Sequence, residues 1–218
     1  MFTDKKKVFI GIKSCVDDVE REWESTGEYA AEVGEKKLMK EIFDPQKTIE
    51  DTALAFPICE YCFGDTAQLP FSDKVWFICE TDCERYGHSW ACPPYCGDIQ
   101  EKIAACKNYR NFFLFSTVTE VENAWDKNAC LKAKLVHEEI TRKMQIELKE
   151  KLSDFYILST GCTTCEVCAC PDEPCRHPEQ RLSSMESHGI VILQLASEMG
   201  LSYSFGSDTV VYFSIILF

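Results

Sequence analysis

The sequence lacks the long apolar runs, repeats and catalytic motifs that would assign it directly to a class of protein. No segment of the 218 residues approaches the roughly 18 uncharged apolar residues that a membrane-spanning helix needs. The start of the chain shows neither a signal-peptide core nor a small-residue cleavage site. The P-loop, the G-x-G-x-x-G loop and the H-E-x-x-H zinc motif are missing, as is the C-x3-C-x2-C spacing of radical enzymes that use S-adenosylmethionine. We therefore expect a cytoplasmic protein, and none of these motifs assigns it a reaction.

Basic residues are also scarce. The chain has 23 lysines and arginines against 36 aspartates and glutamates, which gives a formal net charge of −13. That charge repels phosphate backbones and anionic membrane surfaces, so we expect neither nucleic acid nor a membrane as a partner. Disorder is excluded as well, because 45% of the residues are hydrophobic.

Cysteine is the residue that the sequence has in excess, with 14 in the chain. Disulfide scaffolds are usually shorter, secreted and denser in cysteine. In a reducing cytoplasm, clustered cysteines more often bind a metal than pair with one another. The positions of the cysteines along the chain therefore carry the functional signal.

The most specific spacing is a C-x2-C-x2-C run formed by Cys162, Cys165 and Cys168. This spacing wraps three thiolates around one face of an iron–sulfur cubane and opens the ferredoxin-type run. The fourth sulfur could come from Cys170 or Cys175. We favour Cys175, because a longer return lets four sulfurs point inward from different directions, whereas a C-x-C step strains one iron corner. The second cysteine group is defined as Cys162, Cys165, Cys168 and Cys175.

Four further cysteines fall within a segment of 18 residues that has almost no apolar periodicity. Gly87 would supply a tight turn in this segment, and Pro93 and Pro94 would stiffen its exit. A loop of this composition needs something other than a hydrophobic core to order it, and a bound metal would do so. The first cysteine group is defined as Cys79, Cys83, Cys92 and Cys96.

Iron–sulfur clusters and zinc ions are the alternatives for the metal. Zinc sites usually pair two C-x2–4-C halves across a longer spacer, and the first cysteine group fits that form about as well as it fits an iron–sulfur cluster. The second group fits it poorly, since two consecutive C-x2 steps crowd one zinc ion. One or two [4Fe-4S] clusters are therefore the preferred cofactors, with zinc as the alternative. Of the remaining cysteines, Cys15, Cys106 and Cys130 are interpreted as ordinary buried thiols, while Cys59 and Cys62 could be a dithiol pair, ligands of the first group, or neither.

A few other side chains near the two groups are candidates for supporting roles. Tyr86 and Trp90 could shield a cluster from water, which would affect its reduction potential. Arg176 could donate a hydrogen bond to cluster sulfur or pair with an acid. Glu186 follows the second group, and a capping or salt-bridging role is favoured for it over catalysis. His137 is expected on the exposed side of a long helix.

The apolar patterns predict an α+β fold with one mixed or antiparallel sheet covered by helices. A long helix is expected from a capping box at Thr119 to about Leu152, with shorter C-terminal helices covering the same face. Residues 1–70 are expected to form a helical and loop segment, and residues 71–218 the metal-binding domain. If both cysteine loops follow strands, they should gather at one end of the sheet. The expected strands are Val75–Ile78, Asn111–Val118, Phe155–Leu158, Ser202–Phe205 and Thr209–Phe218.

Both cysteine groups resemble motifs of a known family. The stretch from Cys83 to Tyr95 is similar to a C-x2-YG-x2-W-x-CPP-aromatic signature, and residues 161–178 are similar to a GC-x2-C-x2-C…CR-x-P motif. On these motifs the chain resembles a family of predicted metal-binding proteins, a domain of unknown function common in anaerobic bacteria and archaea. The resemblance covers residues 75–218 and implies metal binding without a particular reaction. The family pattern does not fix the fourth cysteine of the first group, so Cys96 stays open as a ligand.

Three functions are compatible with these features. The first is an electron-transfer or redox accessory protein of anaerobic metabolism with two [4Fe-4S] clusters, whose acidic surface would dock to basic patches on a redox partner protein. The second is an enzyme with an open-site cluster held by only Cys79, Cys83 and Cys92, which would leave one iron free to bind a substrate. The third is a zinc-stabilised interaction module. The role of Cys96 separates the first function from the second.

Overall fold

The computed structural model describes residues 43–218 and the short segment Lys6–Lys7. Most of the expected N-terminal segment, and Cys15 with it, therefore lies outside the described residues. The domain boundary expected after residue 70 stays a prediction. Residues 45–65 contribute one helix and one strand, and that strand pairs within the same sheet as the later strands.

A mixed sheet is the framework of the described residues. Its spatial order is β1-β2-β3-β6-β4-β5, and β4 and β5 are parallel whereas the other neighbours are antiparallel. The strands are β1 (Lys6–Lys7), β2 (Glu60–Asp65), β3 (Asn111–Glu120), β4 (Tyr156–Ser159), β5 (Ser183–Ser184) and β6 (Thr209–Leu217). The helices are α1 (Pro45–Ala53), α2 (Lys74–Asp82), α3 (Ile99–Lys107), α4 (Lys127–Lys151) and α5 (Ile192–Met199). The predicted α+β class with a single mixed sheet is confirmed. None of the helices in this described part combines the length and apolar character needed to cross a membrane.

Helices cover both faces of the sheet. Successive side chains of β3 point to opposite faces, and both sets are buried: Phe112 and Leu114 belong to one apolar cluster, Phe113 and Phe115 to another. The first cluster includes residues of α3 and α5, and the second includes residues of α1 and α4. The prediction that the long helix and the C-terminal helices cover one face is therefore wrong. A continuous apolar run such as that of β3 needs cover on both sides.

The segment that leads into the first cysteine group is a helix and not the predicted strand. Val75–Ile78 lies within α2, where Phe77 is 67% exposed and Trp76 Nε1 donates a hydrogen bond to the carbonyl oxygen of Ser187 at 3.2 Å. A short apolar run does not by itself distinguish a buried strand from a turn of helix. The strand predicted over Ser202–Phe205 is also wrong, because that segment has no regular structure.

The strand β3 is longer than predicted, and the long helix starts later. β3 continues to Glu120, because it stays paired with β6 as far as Thr209. The helix α4 begins at Lys127, where the Asp126 side chain caps it by accepting a backbone N–H. The predicted cap at Thr119 is therefore wrong, because Thr119 is part of β3 and pairs with β6.

A buried polar network fastens α4 to the sheet. The prediction that His137 lies on the exposed side of the helix is wrong, because its side chain is fully buried. Its Nδ1 lies 2.8 Å from Thr117 Oγ1, and its Nε2 lies 2.7 Å from Ser214 Oγ. Burial lowers the pKa of His137 to about 4. The ring is therefore neutral at neutral pH, and hydroxyl groups of β3 and β6 satisfy its two nitrogens.

Candidate metal centre

The first cysteine group is folded into a compact loop at the end of α2. Two of its members, Cys79 and Cys83, lie in the last turn and at the C-cap of that helix. The other two lie four residues apart, and the Cys96 N–H donates to the carbonyl oxygen of Cys92 at 3.1 Å. Gly87 has the positive φ of +72° that the predicted tight turn requires.

The four thiols of the first group lie within electrostatic reach of one another. The pKa of Cys79 is raised to about 12, mainly by burial, then by the carboxylate of Glu186 and by the other three thiols of the group. Thiols that raise one another's pKa repel as thiolates, and a bound cation relieves that repulsion. Cys79 therefore lies near the other three thiols of its group, although among the described residues no three such side chains converge on one point.

Positive charge and a hydrogen-bond donor collect around Cys92. Burial raises the pKa of this thiol to about 11, whereas a hydrogen bond from Ser89 and the charges of Lys134 and Arg85 act in the opposite direction. The Nε of Arg85 is buried and has no hydrogen-bond partner among the described residues. A buried donor without an acceptor costs free energy, and an anionic group held by the thiols would supply that acceptor.

The second cysteine group lines one cavity. Its four members lie between β4 and β5 in a segment without helix or strand, and all four border the same small cavity. Cys170 is buried but does not border that cavity. This arrangement favours Cys175 over Cys170 as the fourth thiol.

The two cysteine loops pack against each other. Residues 89–91 of the first loop also border the cavity of the second group. Arg85 donates a hydrogen bond to the carbonyl oxygen of Cys162, and Trp90 Nε1 donates to that of Glu173 at 3.0 Å. The two loops are therefore in contact, but the condition of the sequence-based expectation is not met, because the first loop follows helix α2 and only the second follows a strand.

The two loops also lie close together at Gly161. Its φ is +115°, and a Cβ atom there would lie 3.8 Å from the Cys92 sulfur and 3.7 Å from Lys134 Nζ. The backbone that enters the second group therefore runs directly beside a thiol of the first group. We refer to the two adjacent cysteine loops together as the thiol-rich centre.

The second loop is anchored to α4 by Glu138, whose side chain is fully buried. This carboxylate accepts hydrogen bonds from Thr160 Oγ1 at 2.9 Å, from the Thr163 N–H at 2.8 Å and from Thr163 Oγ1 at 2.5 Å. On its own helix it faces Arg142 at 3.3 Å and Lys134 at 3.8 Å. A buried charge needs such partners, and here they tie the start of the second cysteine loop to the scaffold.

The predicted supporting side chains differ in their positions. Trp90 borders the cavity of the second group, and its ring packs against Tyr95 with the centroids 5.8 Å apart. Tyr86 is partly buried in the first loop. Arg176 is exposed and donates to the carbonyl oxygen of Val167, and it does not border the cavity. Of the three, Trp90 has the position that shielding a cluster requires.

Glu186 faces the first cysteine group. It begins the 3₁₀ turn Glu186–His188 and contributes to the raised pKa of Cys79. Burial raises the pKa of Glu186 itself, while a hydrogen bond from Ser184 and the charge of Lys134 act against that rise. The carboxylate is therefore a polar neighbour of the thiols.

Two of the described cysteines outside the two groups, Cys62 and Cys106, lie in the core. Burial raises the pKa values of Cys62 and Cys106 to about 12, and both pack in the apolar cluster with α5. The Cys130 thiol donates to the carbonyl oxygen of Ala124 at 3.2 Å. These positions are typical of ordinary buried thiols. For Cys62 they favour the alternative in which it is neither a dithiol partner nor a ligand.

Arg85, Lys134 and Glu138 are the functional side chains that the sequence interpretation missed. Lys134 and Glu138 are four residues apart on a helix rich in such pairs, so their spacing is typical of an exposed salt bridge. Arg85 lies inside the first motif, in which supporting roles were predicted only for Tyr86 and Trp90. Contacts with the cysteine loops distinguish these residues, and spacing along the chain does not report such contacts.

The donor set fits a thiolate-bound metal. Within residues 43–218, no three histidine, cysteine, aspartate or glutamate side chains converge on a single point that one ion would occupy. The thiols of the second group border a cavity, and those of the first group lie in the loop at the end of α2. None of these cysteines forms a disulfide. Two cations, Arg85 and Lys134, lie near Cys92. Eight soft donors of this kind suit iron–sulfur clusters or zinc.

These features define an α+β protein in which two cysteine loops meet in one thiol-rich centre. The profile of the family of predicted metal-binding proteins named DUF2284 matches residues 64–218, and the chain belongs to that family. This is the family that the two motifs resemble. No curated protein and no solved structure matches the chain. Family membership supports metal binding, while the metal itself must be argued from the cysteines.

Replacing Glu138 with alanine should lower the free energy of unfolding by about 3 kcal/mol, because Arg142 and Lys134 would keep their charges without the buried partner. Urea denaturation measures the change. The adjacent Glu139→Ala removes only an exposed pair with Lys143 and should leave the stability nearly unchanged. Equal effects of the two substitutions would show that Glu138 is not an anchor of the second loop.

Proposed function

We propose that the protein is an electron-transfer or redox accessory protein that holds two [4Fe-4S] clusters, one in each cysteine group. The observation that carries this proposal is the cavity bordered by all four cysteines of the second group, three of which follow the ferredoxin-type spacing. The four thiols of the first group would hold the other cluster. When bound, clusters of this kind accept and donate single electrons.

The surroundings of the thiols suit a negatively charged cluster. Lys134 and Arg85 both oppose the effect of burial on Cys92, and the buried Arg85 Nε offers a donor to cluster sulfur. Trp90 covers part of the cavity of the second group. Hydrogen bonds to the sulfurs and exclusion of water are the means by which a protein tunes the potential of a cluster.

The contact between the loops supports electron passage between the two groups. The backbone at Gly161 runs beside the Cys92 sulfur, and the hydrogen bond from Trp90 to Glu173 holds the loops together. Two clusters carried by loops in direct contact would provide a short path for electrons within one domain.

The partner would be a redox protein with a basic docking surface. The chain carries a net charge of −13, and opposite charges steer association in a way that salt weakens. We propose a cytoplasmic location in an anaerobe, since a reducing compartment keeps cysteines available as ligands.

A second candidate function is an enzyme that uses an open-site cluster, and the surroundings of Cys96 favour it. Burial raises the pKa of Cys96, while Lys102 and Arg181 act in the opposite direction. Both of these cations line a polar pocket that is open to solvent. A cluster held by only the other three thiols of the first group would leave one iron for a substrate.

Anaerobically prepared protein should be brown and contain about eight irons per chain with a matching amount of acid-labile sulfide, because each cluster holds four irons. Iron, zinc and sulfide analysis together with a visible spectrum provides the measurement. A colourless protein with zinc, without labile sulfide and unfolded by chelators would be a zinc-stabilised interaction module. That outcome would overturn the electron-transfer proposal.

Cys175→Ala should lower the iron content from about eight to about four per chain, because it removes a thiol that borders the cavity. Cys170→Ala is the matched control, since it removes a thiol of the same loop that does not border the cavity, and it should keep all the iron. The reverse pattern would make Cys170 the fourth ligand.

Cys96→Ala should also lower the iron content to about four per chain if all four thiols of the first group hold a cluster. Cys130→Ala, which removes a thiol outside both groups, should keep the full content. Iron analysis and the visible spectrum of the two variants provide the comparison. Full iron content in Cys96→Ala would instead favour the enzyme with an open-site cluster.

A further inference from the structure

A pocket of about 390 Å³ opens between α3, the end of α4 and the edge formed by β4 and β5. Its volume lies within the range of small-molecule sites in proteins. The side chains that line it are mainly polar or charged and come from segments far apart in the chain. They include Lys102, Gln145, Lys149, Asp154, Tyr156 and Arg181.

Three cations without ion-pair partners line this pocket. Within residues 43–218, neither Lys102, Lys149 nor Arg181 forms a salt bridge. The one acid in the lining, Asp154, accepts a hydrogen bond from Tyr109 Oη at 3.1 Å. In a chain with a net charge of −13, three unpaired cations around one pocket form a local site for negative charge.

The pocket adjoins the thiol-rich centre. Arg181 lines both this pocket and the cavity bordered by the second cysteine group. Lys102 lies against Gly97, which directly follows Cys96 of the first group, because a Cβ atom at Gly97 would lie 3.3 Å from Lys102 Cε. A ligand in the pocket would therefore lie next to both cysteine groups, with Arg181 as the shared side chain.

We propose that this pocket binds a small molecule that carries a carboxylate or phosphate group. The guanidinium of Arg181 can hold either group with two parallel hydrogen bonds. Lys102 and Lys149 would supply further positive charge. This inference goes beyond the proposed function and holds for either metal, because none of the three cations belongs to the cysteine groups.

The experiment is isothermal titration calorimetry of the full chain, prepared anaerobically with its metal, against two probes. Inorganic phosphate represents the phosphate group, and succinate represents the carboxylate. The variants Arg181→Gln and Lys149→Gln each remove one cation of the pocket. The matched control is Lys132→Gln, which removes an exposed charge from the same helix as Lys149, outside the pocket.

At least one probe should bind, and each pocket variant should weaken that binding about tenfold or more, since a charge-assisted contact is lost. The control should bind like the unmodified protein. Binding of phosphate alone, or of succinate alone, identifies which group the site prefers. The proposal is overturned if neither probe binds, or if the control loses as much affinity as the pocket variants. Metal and sulfide analysis of the same samples tests the cluster proposal separately.

Discussion

The hydrogen bonds of the buried Glu138 carboxylate are the contacts on which the position of the second cysteine loop depends. This carboxylate accepts hydrogen bonds from Thr163 at the start of the second loop and faces Lys134 on its own helix. The positive charge of Lys134 in turn opposes the rise in pKa that burial causes at Cys92 of the first loop. The helix that carries both residues is fixed to the sheet by the buried His137. One helix therefore holds the start of the second loop and also carries a cation that lies near Cys92 of the first loop.

Two thiols of the first group, Cys79 and Cys92, combine burial with repulsion from neighbouring thiols. Burial raises the pKa values of Cys79 and Cys92 well above that of a free cysteine. Metal binding requires thiolates, so it must displace protons from these groups and compensate the negative charge that results. Arg85 and Lys134 lie where they reduce the cost of that charge. These two cations therefore compensate part of the thiolate charge, and a bound metal would compensate the rest.

Arg181 relates the thiol-rich centre to the pocket beside it. The same side chain lines the cavity of the second cysteine group and the pocket with three cations. A negatively charged molecule in that pocket would change the charge next to the thiols.

Local patterns were reliable where a single physical cause dominates. The strand starting at Asn111 was predictable, because its apolar run is too continuous for a surface segment. The apolar run Val75–Ile78 was misleading, because four residues fit a turn of helix as well as a strand. His137 was misplaced because its partners, Thr117 and Ser214, lie on strands that helical periodicity does not describe.

The sequence by itself determined the two cysteine groups, the mixed α+β class and the family. Ligand spacing is local, so thiols with two residues between them can reach one cluster whatever the rest of the fold does. Only the tertiary structure decided that Gly161 lies against Cys92, that Glu138 is buried and that Arg181 joins a cavity to a pocket. These contacts join residues far apart in the chain. Pairing of the strands and packing of α4 on the sheet bring these residues together. The spacing of residues along the sequence does not reveal such contacts.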